Sequence, residues 1–399
     1  MSEAEFGLLS LYNISSTFPS TLFFGPLGQG ILRIFSIAQE KNEFGAFRQD
    51  YATLFKTGVI LTLLTGLLGA LTCWFFGQEH WAIAMIIMAL LNIFNAYNSI
   101  AYGLQNIQRK RMTALGLETG DRVLQQFIAL SLLLWVSKDP LIIIGGYLIG
   151  AVMFSAINYF FVSPTLFTSV DAVGVKSRTY RRLLLDYSWP FFIFGALQWI
   201  QSSSDRWTLE LLRSTELVGQ YAVINQIGFQ SLTLFFGSIG YFLFPILFNK
   251  AGSLKRHNQF NDANRLNNYF LAFNLGITIC IALLFWPFGE WVIRFLSSEK
   301  YVKIAWMLPF MAISGGLFNF CQNYANRFLI SMQTKLLMYS RVSTSILSVF
   351  INLMAVYTFG LVGLVFSTII TQVIGLMFLM IAWNTGKKRI STINYEITH

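Results

Sequence analysis

Two pairs of neighbouring ionisable residues, Asp121-Arg122 and Asp205-Arg206, stand inside long apolar stretches of the chain. A carboxylate in such surroundings can carry a proton, and a guanidinium offers a planar fork of donors to an anion. At the centre of a bilayer each would cost about 2.5–3.5 kcal/mol, roughly 10–14 for the four together. They must therefore face one another or water. Gln198, Ser202 and Asp205 follow an i, i+4, i+7 spacing that draws a polar stripe down one helix face and stops at Leu209. Arg206 and Glu210 have the i, i+4 spacing of an ion pair in its weaker, cation-first order. Glu210 lies close to Arg213 and Glu216, where a helix end reaches the outer interface. Further stripes run through Asn92, Asn95, Ser99 and Tyr102, and through Asn319, Asn323, Asn326 and Arg327. Each Asn reads either as interhelical glue or as part of a hydrated path. Arg33 and Lys56 lie near cytoplasmic helix ends, as basic residues do.

Other chemistry is missing. His80, His257 and His399 are isolated, and no carboxylate cluster has metal-ligand spacing. Cys73, Cys280 and Cys321 read as core thiols. Gly25-Pro26-Leu27-Gly28-Gln29-Gly30 follows no strand, so it reads as close helix packing or a hinge and not as a nucleotide loop. Pro19, Pro26, Pro190 and Pro245 offer kinks. With no catalytic constellation and no large external loop, a polymerase or membrane glycosyltransferase is disfavoured, and with no nucleotide site a primary pump is excluded. A secondary transporter remains.

The elements that must position these residues follow from composition. The chain has 399 residues, 55% hydrophobic and only 12% charged, against about 25% charged in a soluble domain. Too few charges exist to cover a water-soluble body, so the apolar residues meet lipid. The expected fold is an all-α polytopic membrane protein of about eleven transmembrane helices. These lie near 8–34, 51–76, 81–105, 114–136, 140–163, 187–212, 217–248, 268–297, 302–330, 336–358 and 360–384. Spanning the fourth segment draws Glu118, Asp121 and Arg122 into the membrane, because its uninterrupted apolar part runs only from Val123 to Val136.

Basic residues set the orientation. One alternate set of loops holds Lys41, Arg48, Arg109, Lys110, Arg111, Lys176, Arg178, Arg181, Arg182, Lys250, Lys255, Arg256, Arg265, Lys335, Lys387, Lys388 and Arg389. The opposite set holds only Lys138, Arg213, Lys300 and Lys303, with Arg294 at a span end. The net charge of +10 is thus a topology signal that puts the C-terminus in the cytoplasm and Met1 outside. It is not a nucleic-acid surface, which would need clustering on one folded domain. Met1 to Gly7 lacks a basic n-region and a cleavage site, so it is not a signal peptide.

The chain also repeats itself. Thr21-Leu22-Phe23-Phe24-Gly25 with Gly28 recurs as Thr233-Leu234-Phe235-Phe236-Gly237 with Gly240, and at the same offset Gly7 matches Gly219 and Asn13 matches Asn225. Asp121-Arg122-Val123 has a looser counterpart in Ser340-Arg341-Val342. Equating the first and seventh spans makes the unit six helices, which gives two parallel lobes, a transporter plan. The expected domains are an N-terminal lobe over 1–163, a basic cytoplasmic linker over 164–186 and a C-terminal lobe over 187–399. The partner of the sixth span then falls upstream of Met1, and a reading frame there should encode an apolar helix within about 30 residues.

Ser204-Asp205-Arg206, followed after a short turn by Glu216-Leu217-Val218-Gly219-Gln220-Tyr221-Ala222, resembles the pattern of Wzx-type polysaccharide (O-antigen) flippases of the multidrug/oligosaccharidyl-lipid/polysaccharide exporter superfamily. Glu5-Phe6-Gly7 and the helix after it are similar to the same family's first external loop and second helix. The resemblance covers nearly the whole chain in span order. It implies an inner-membrane flippase moving undecaprenyl-pyrophosphate-linked oligosaccharide repeat units by alternating access of two lobes around a cationic cavity. It further implies a coupling ion, H+ or Na+, and a polysaccharide polymerase and chain-length regulator as partners. The implied substrate-binding candidates are Arg122, Asp121, Asp205, Arg206, Arg327, Arg341 and Asn225. A multidrug antiporter of the same fold is the alternative, as is a truncated, non-transporting remnant, since the family's first helix is absent from the sequence.

Overall fold

The computed structural model describes residues 1–40, 43–107, 110–167, 178–251, 257–331 and 333–397. Every regular element among them is helical. In chain order these are α1 (Glu3–Pro19), a π-helical turn (Ser20–Phe24), α2 (Gly25–Glu40), α3 (Phe44–Phe75), α4 (Glu79–Ile107), α5 (Arg111–Trp135), α6 (Pro140–Phe167) and α7 (Arg178–Leu212). There follow α8 (Thr215–Ile224), a second π turn (Asn225–Gln230), α9 (Ser231–Ala251), α10 (His257–Leu296), a 3-10 segment (Glu299–Met307), α11 (Leu308–Ile330) and α12 (Thr334–Ile397).

Among the described residues, seven helices are long and apolar enough to cross a membrane. The longest, 335–386, breaks at Gly360, whose φ of +60° only glycine adopts freely. Its two arms run back alongside each other, since Ser367 Oγ donates to Asn352 Oδ1 and Ser340 Oγ to the carbonyl of Phe378. The segments expected near 8–34, 114–136 and 187–212 are helical but fall short of the apolar criterion. Two of them, α5 and α7, carry the ionisable pairs. Large apolar side chains cover the outside of the protein; Leu68 is 61% exposed and Phe75 81%. This is the surface of a multi-pass membrane protein, whose solvent at mid-depth is hydrocarbon. Cys280 lies on that exposed surface, contrary to the core reading, whereas Cys321 is buried. Nothing in the apolar pattern of a chain immersed in lipid separates an inward thiol from an outward one.

The chain divides into two compact units, Met1–Trp199 and Ile200–His399. In the first, one core gathers Leu27, Ile31 and Ile34 of α2 with Leu54, Leu104 and Leu184, and another packs Tyr12 against Met88, Ala129 and Ile144. The early part of α7 belongs here. Asp50 accepts the backbone N–H of Arg181 at 3.0 Å, the Tyr180 hydroxyl donates to Glu43 at 2.6 Å, and Trp199 Nε1 donates to the carbonyl of Ile14. Burial, helped by the Glu43 carboxylate, pushes the Tyr180 hydroxyl up to about 12, so it stays a donor at neutral pH. Gly30 packs against Ser188 and Leu184, which is the close-packing role expected of its glycine-rich run. In the second unit, Phe236, Phe270 and Ala312 form one core, and Leu271, Cys321 and Phe328 another.

The repeat has a structural counterpart. α1–α2 and α8–α9 each contain one π turn, but these turns, at 20–24 and 225–230, do not fall at equivalent positions of the repeat. Phe24 and Phe236 are both buried, and Thr21 and Thr233 both donate to the carbonyl four residues back. In the first copy the turn follows Pro19, which supplies no N–H and crowds the preceding turn.

A Gly146-x-x-x-Gly150 pair seats α6 on α5. A Cβ at Gly146 would lie 2.7 Å from Ala129 Cα, and one at Gly150 2.7 Å from Gln125 Cα. Gly150→Val must push α5 away and should destabilise the protein by about 1–3 kcal/mol. A thermal melt in detergent checks this; an unchanged melting temperature would show the helices are not packed this closely.

Candidate functional site

Besides Asp50, which takes the Arg181 backbone N–H, the described residues bury one aspartate at the heart of each unit, Asp121 and Asp205, and these two are satisfied in different ways. In the first unit Asp121 is 2% exposed on α5. Its Oδ1 accepts from Gln125 Nε2 at 2.8 Å, and its Oδ2 from Tyr102 OH at 3.1 Å and Asn98 Nδ2 at 3.3 Å. Helical spacing makes this possible: Asn98 and Tyr102 are one turn apart on α4, as are Asp121 and Gln125 on α5. A second layer comes from α6, where Ser155 and Asn158 donate to Asn98 Oδ1 at 3.0 and 2.9 Å. Gln125 Nε2 also reaches Asn95 Oδ1, at 3.0 Å. Among the described residues no cation lies within ion-pair distance of Asp121. Asn158 Oδ1 is buried without a hydrogen bond. The carboxylate is thus held by neutral donors from two helices.

In the second unit Asp205 has a guanidinium beside it. Arg206 Nη1 lies 3.5 Å from Asp205 Oδ1, and Tyr221 OH donates to Asp205 Oδ2 at 2.6 Å. Asn225, one turn beyond Tyr221, donates to the Tyr221 hydroxyl at 3.3 Å and accepts from Arg206 Nη2 at 3.4 Å. The guanidinium also lies over the Tyr221 ring, 5.8 Å from its centroid. Ser214 fixes the register by capping α8, accepting the N–H of Leu217. The result is a closed ring of Asp, Arg, Tyr and Asn that presents one held guanidinium.

Asp205, Arg206 and Asn225 are thus brought together, and the other candidates are dispersed. Arg122 is exposed next to its buried neighbour Asp121. Arg327 donates to Asn268 Oδ1 at 2.6 Å and stacks over Tyr324, while Arg341 donates to Gln322 Oε1 at 2.6 Å. Arg206 does not pair with Glu210, which instead accepts from Thr215 Oγ1. Asp205 and Asn225 offer closer partners than the cation-first helix geometry does. The expected stripe is also turned: Gln198 and Ser202 are exposed, and the inward face runs through Gln201 and Ser204. These two meet Ser345 and Asn352 of α12 at 2.7 and 3.2 Å. The side chains of Asn319 and Asn326 act as glue, tying α11 to Thr233 and Asn267, and Asn267 also donates to the backbone carbonyl of Asn323. Arg33's side chain lies outside the described residues. Among them no group of His, Cys, Asp or Glu is placed to hold a metal.

Sequence reasoning missed Asn98, Ser155, Asn158 and Tyr221. The one-turn spacing of Asn98 with Tyr102 and of Tyr221 with Asn225 was the available signal.

The helical fold has counterparts among solved structures. An inward-facing multidrug resistance MATE family transporter of the MOP superfamily superposes with a TM-score of 0.68 at 13% identity, over 97% of this chain and 96% of that one. The lipid II flippase MurJ, in an inward closed conformation, gives 0.58 at 14% identity over 94% and 86%. A mutant of the Vibrio cholerae MATE transporter VcmN gives 0.59 at 15% identity over 97% and 95%. At such identities the likeness establishes the fold alone. Residues 1–250 match the family described as polysaccharide biosynthesis protein, and the chain belongs to that family. No curated protein matches the sequence.

Asn98→Ala removes a donor to Asp121 and the acceptor shared by Ser155 and Asn158. It should cost about 1–3 kcal/mol, the penalty for stranding buried polar groups, read as a lower melting temperature. Ser99→Ala, at the exposed neighbouring position, should leave it unchanged.

Proposed function

We propose that this protein is a flippase for undecaprenyl-pyrophosphate-linked oligosaccharide repeat units, moving them from the cytoplasmic to the periplasmic leaflet of a bacterial inner membrane by alternating access, for O-antigen or capsule synthesis. One observation carries the reading: a chain of the polysaccharide biosynthesis family has the fold of a lipid II flippase, whose name describes flipping of a lipid. The cargo's pyrophosphate needs cations, and Arg206, Arg341, Arg327 and Arg122 are those offered. Arg206 is the best prepared, because Asp205 and Asn225 hold its fork in one orientation. Asp121, which has no cation partner among the described residues, is assigned the coupling ion, H+ or Na+. The polymerase and chain-length regulator of the same polysaccharide are its natural partners, and the C-terminus is cytoplasmic by the placement of basic residues.

In a strain lacking the chromosomal copy, Arg206→Ala should lower surface polysaccharide about tenfold or more, the loss expected for a charge-assisted contact, with wild-type protein levels in the membrane. Asp121→Asn should do the same. Wild-type polysaccharide in both would contradict the reading. A multidrug antiporter is the second reading, favoured by the uncompensated Asp121, which suits a cationic partner. Under it the deletion strain becomes sensitive to cationic drugs and keeps its polysaccharide.

A further inference from the structure

We propose that a cleft between the end of α9 and the start of α10 binds a phosphoethanolamine headgroup of a membrane lipid. The cleft has a volume of about 350 Å³ and is lined by Lys250, Asp262, Arg265, Leu266 and Tyr269. Lys250 stands in the last turn of α9. The other four follow an i, i+3, i+4, i+7 spacing, so they share one face of α10. Arg265 Nε donates to Tyr269 OH at 3.1 Å, and its guanidinium lies over the Tyr269 ring, 5.8 Å from the centroid. This holds one nitrogen and leaves the two amino groups for a ligand. Among the described residues, no ion pair joins Asp262 to Lys250 or Arg265. Two cations and one anion therefore face the same space without neutralising each other by contact.

That pattern selects a ligand bearing both signs. A phosphate suits Lys250 and Arg265. A primary ammonium a few bonds away can donate N–H bonds to Asp262, which a trimethylated ammonium cannot do and which a purely anionic headgroup would meet with repulsion. The depth points to a lipid and not to a soluble phosphate. The apolar spans 215–244 and 261–296 border the cleft, and Lys250 lies about 9 Å of helix beyond Phe244, at headgroup level. Tyr269 has the amphipathic ring that favours this interface, and Leu266 gives the acyl chains an apolar start. The site serves the protein whichever cargo it moves.

Native mass spectrometry of the full chain with equimolar phosphatidylethanolamine, phosphatidylcholine and phosphatidylglycerol of identical acyl chains tests the proposal. The wild type should retain phosphatidylethanolamine about two- to fivefold over the other two, the factor one partly exposed ion pair supplies. Asp262→Asn should lose that preference while still retaining phosphatidylglycerol. Lys250→Gln with Arg265→Gln should retain less of all three. The altered side chains line an open cleft, so the melting temperature should not move, and this separates lost binding from lost folding. Equal retention of the three lipids by the wild type, or an undiminished preference in Asp262→Asn, would overturn the proposal. So would displacement of the lipid by an equal concentration of soluble phosphoethanolamine, which would make the ligand a soluble metabolite.

Discussion

A polar group in hydrocarbon has no water to fall back on, so the protein must supply every partner it needs. Asp121 shows how far this requirement organises the first unit. Its carboxylate takes donors from α4 and from its own helix, α6 reinforces the α4 donor, and the glycine pair of α6 lets that helix approach α5 closely enough to do so. The seam and the network depend on each other. A larger residue at Gly150 meets Gln125, which is itself a ligand of Asp121.

The second unit meets the same demand by charge compensation. Asp205 and Arg206 neutralise each other locally, and Tyr221 and Asn225 add a hydrogen bond to each of them. A compensated pair can stay in a low-dielectric setting, whereas Asp121 relies on neutral donors alone among the described residues. The two units share a sequence repeat that buries Phe24 in one and Phe236 in the other, yet they carry different electrostatics. That asymmetry is what the proposed coupling role for Asp121 and cargo-facing role for Arg206 rest on.

The fold class was legible because it follows from composition: a chain this apolar and this poor in charge can only be a bundle of helices in lipid. The repeat was legible because Thr21 to Gly25 and Thr233 to Gly237 kept their residue types, and both copies kept the buried phenylalanine. The facing of individual side chains was harder to read. In a soluble helix a polar residue marks the outward face, but in a membrane helix it marks the inward one only if it is buried, and Ser99, Ser202 and Gln198 are exposed while Asn98 and Ser204 are not. Pairing between helices was hidden altogether. The ring of Asp205, Arg206, Tyr221 and Asn225 joins two helices through a turn set by Ser214, and the Asp121 network joins three. Spacing along one helix cannot state which neighbour it meets. α5 and α7 fell below the apolar criterion for the same reason that they matter, since they carry the residues that lipid would reject.

The central claim is lipid-linked oligosaccharide transfer from one leaflet to the other. Its most direct test is the purified full chain in sealed vesicles that hold a polyprenyl-pyrophosphate oligosaccharide in both leaflets, probed from outside with a membrane-impermeant, glycan-specific enzyme. With the protein present and an ion gradient imposed, the account predicts digestion of the whole lipid-linked pool; without protein, digestion stops at the outer-leaflet half. Digestion that stops at half in both cases, with the protein correctly folded in the vesicles, would contradict it.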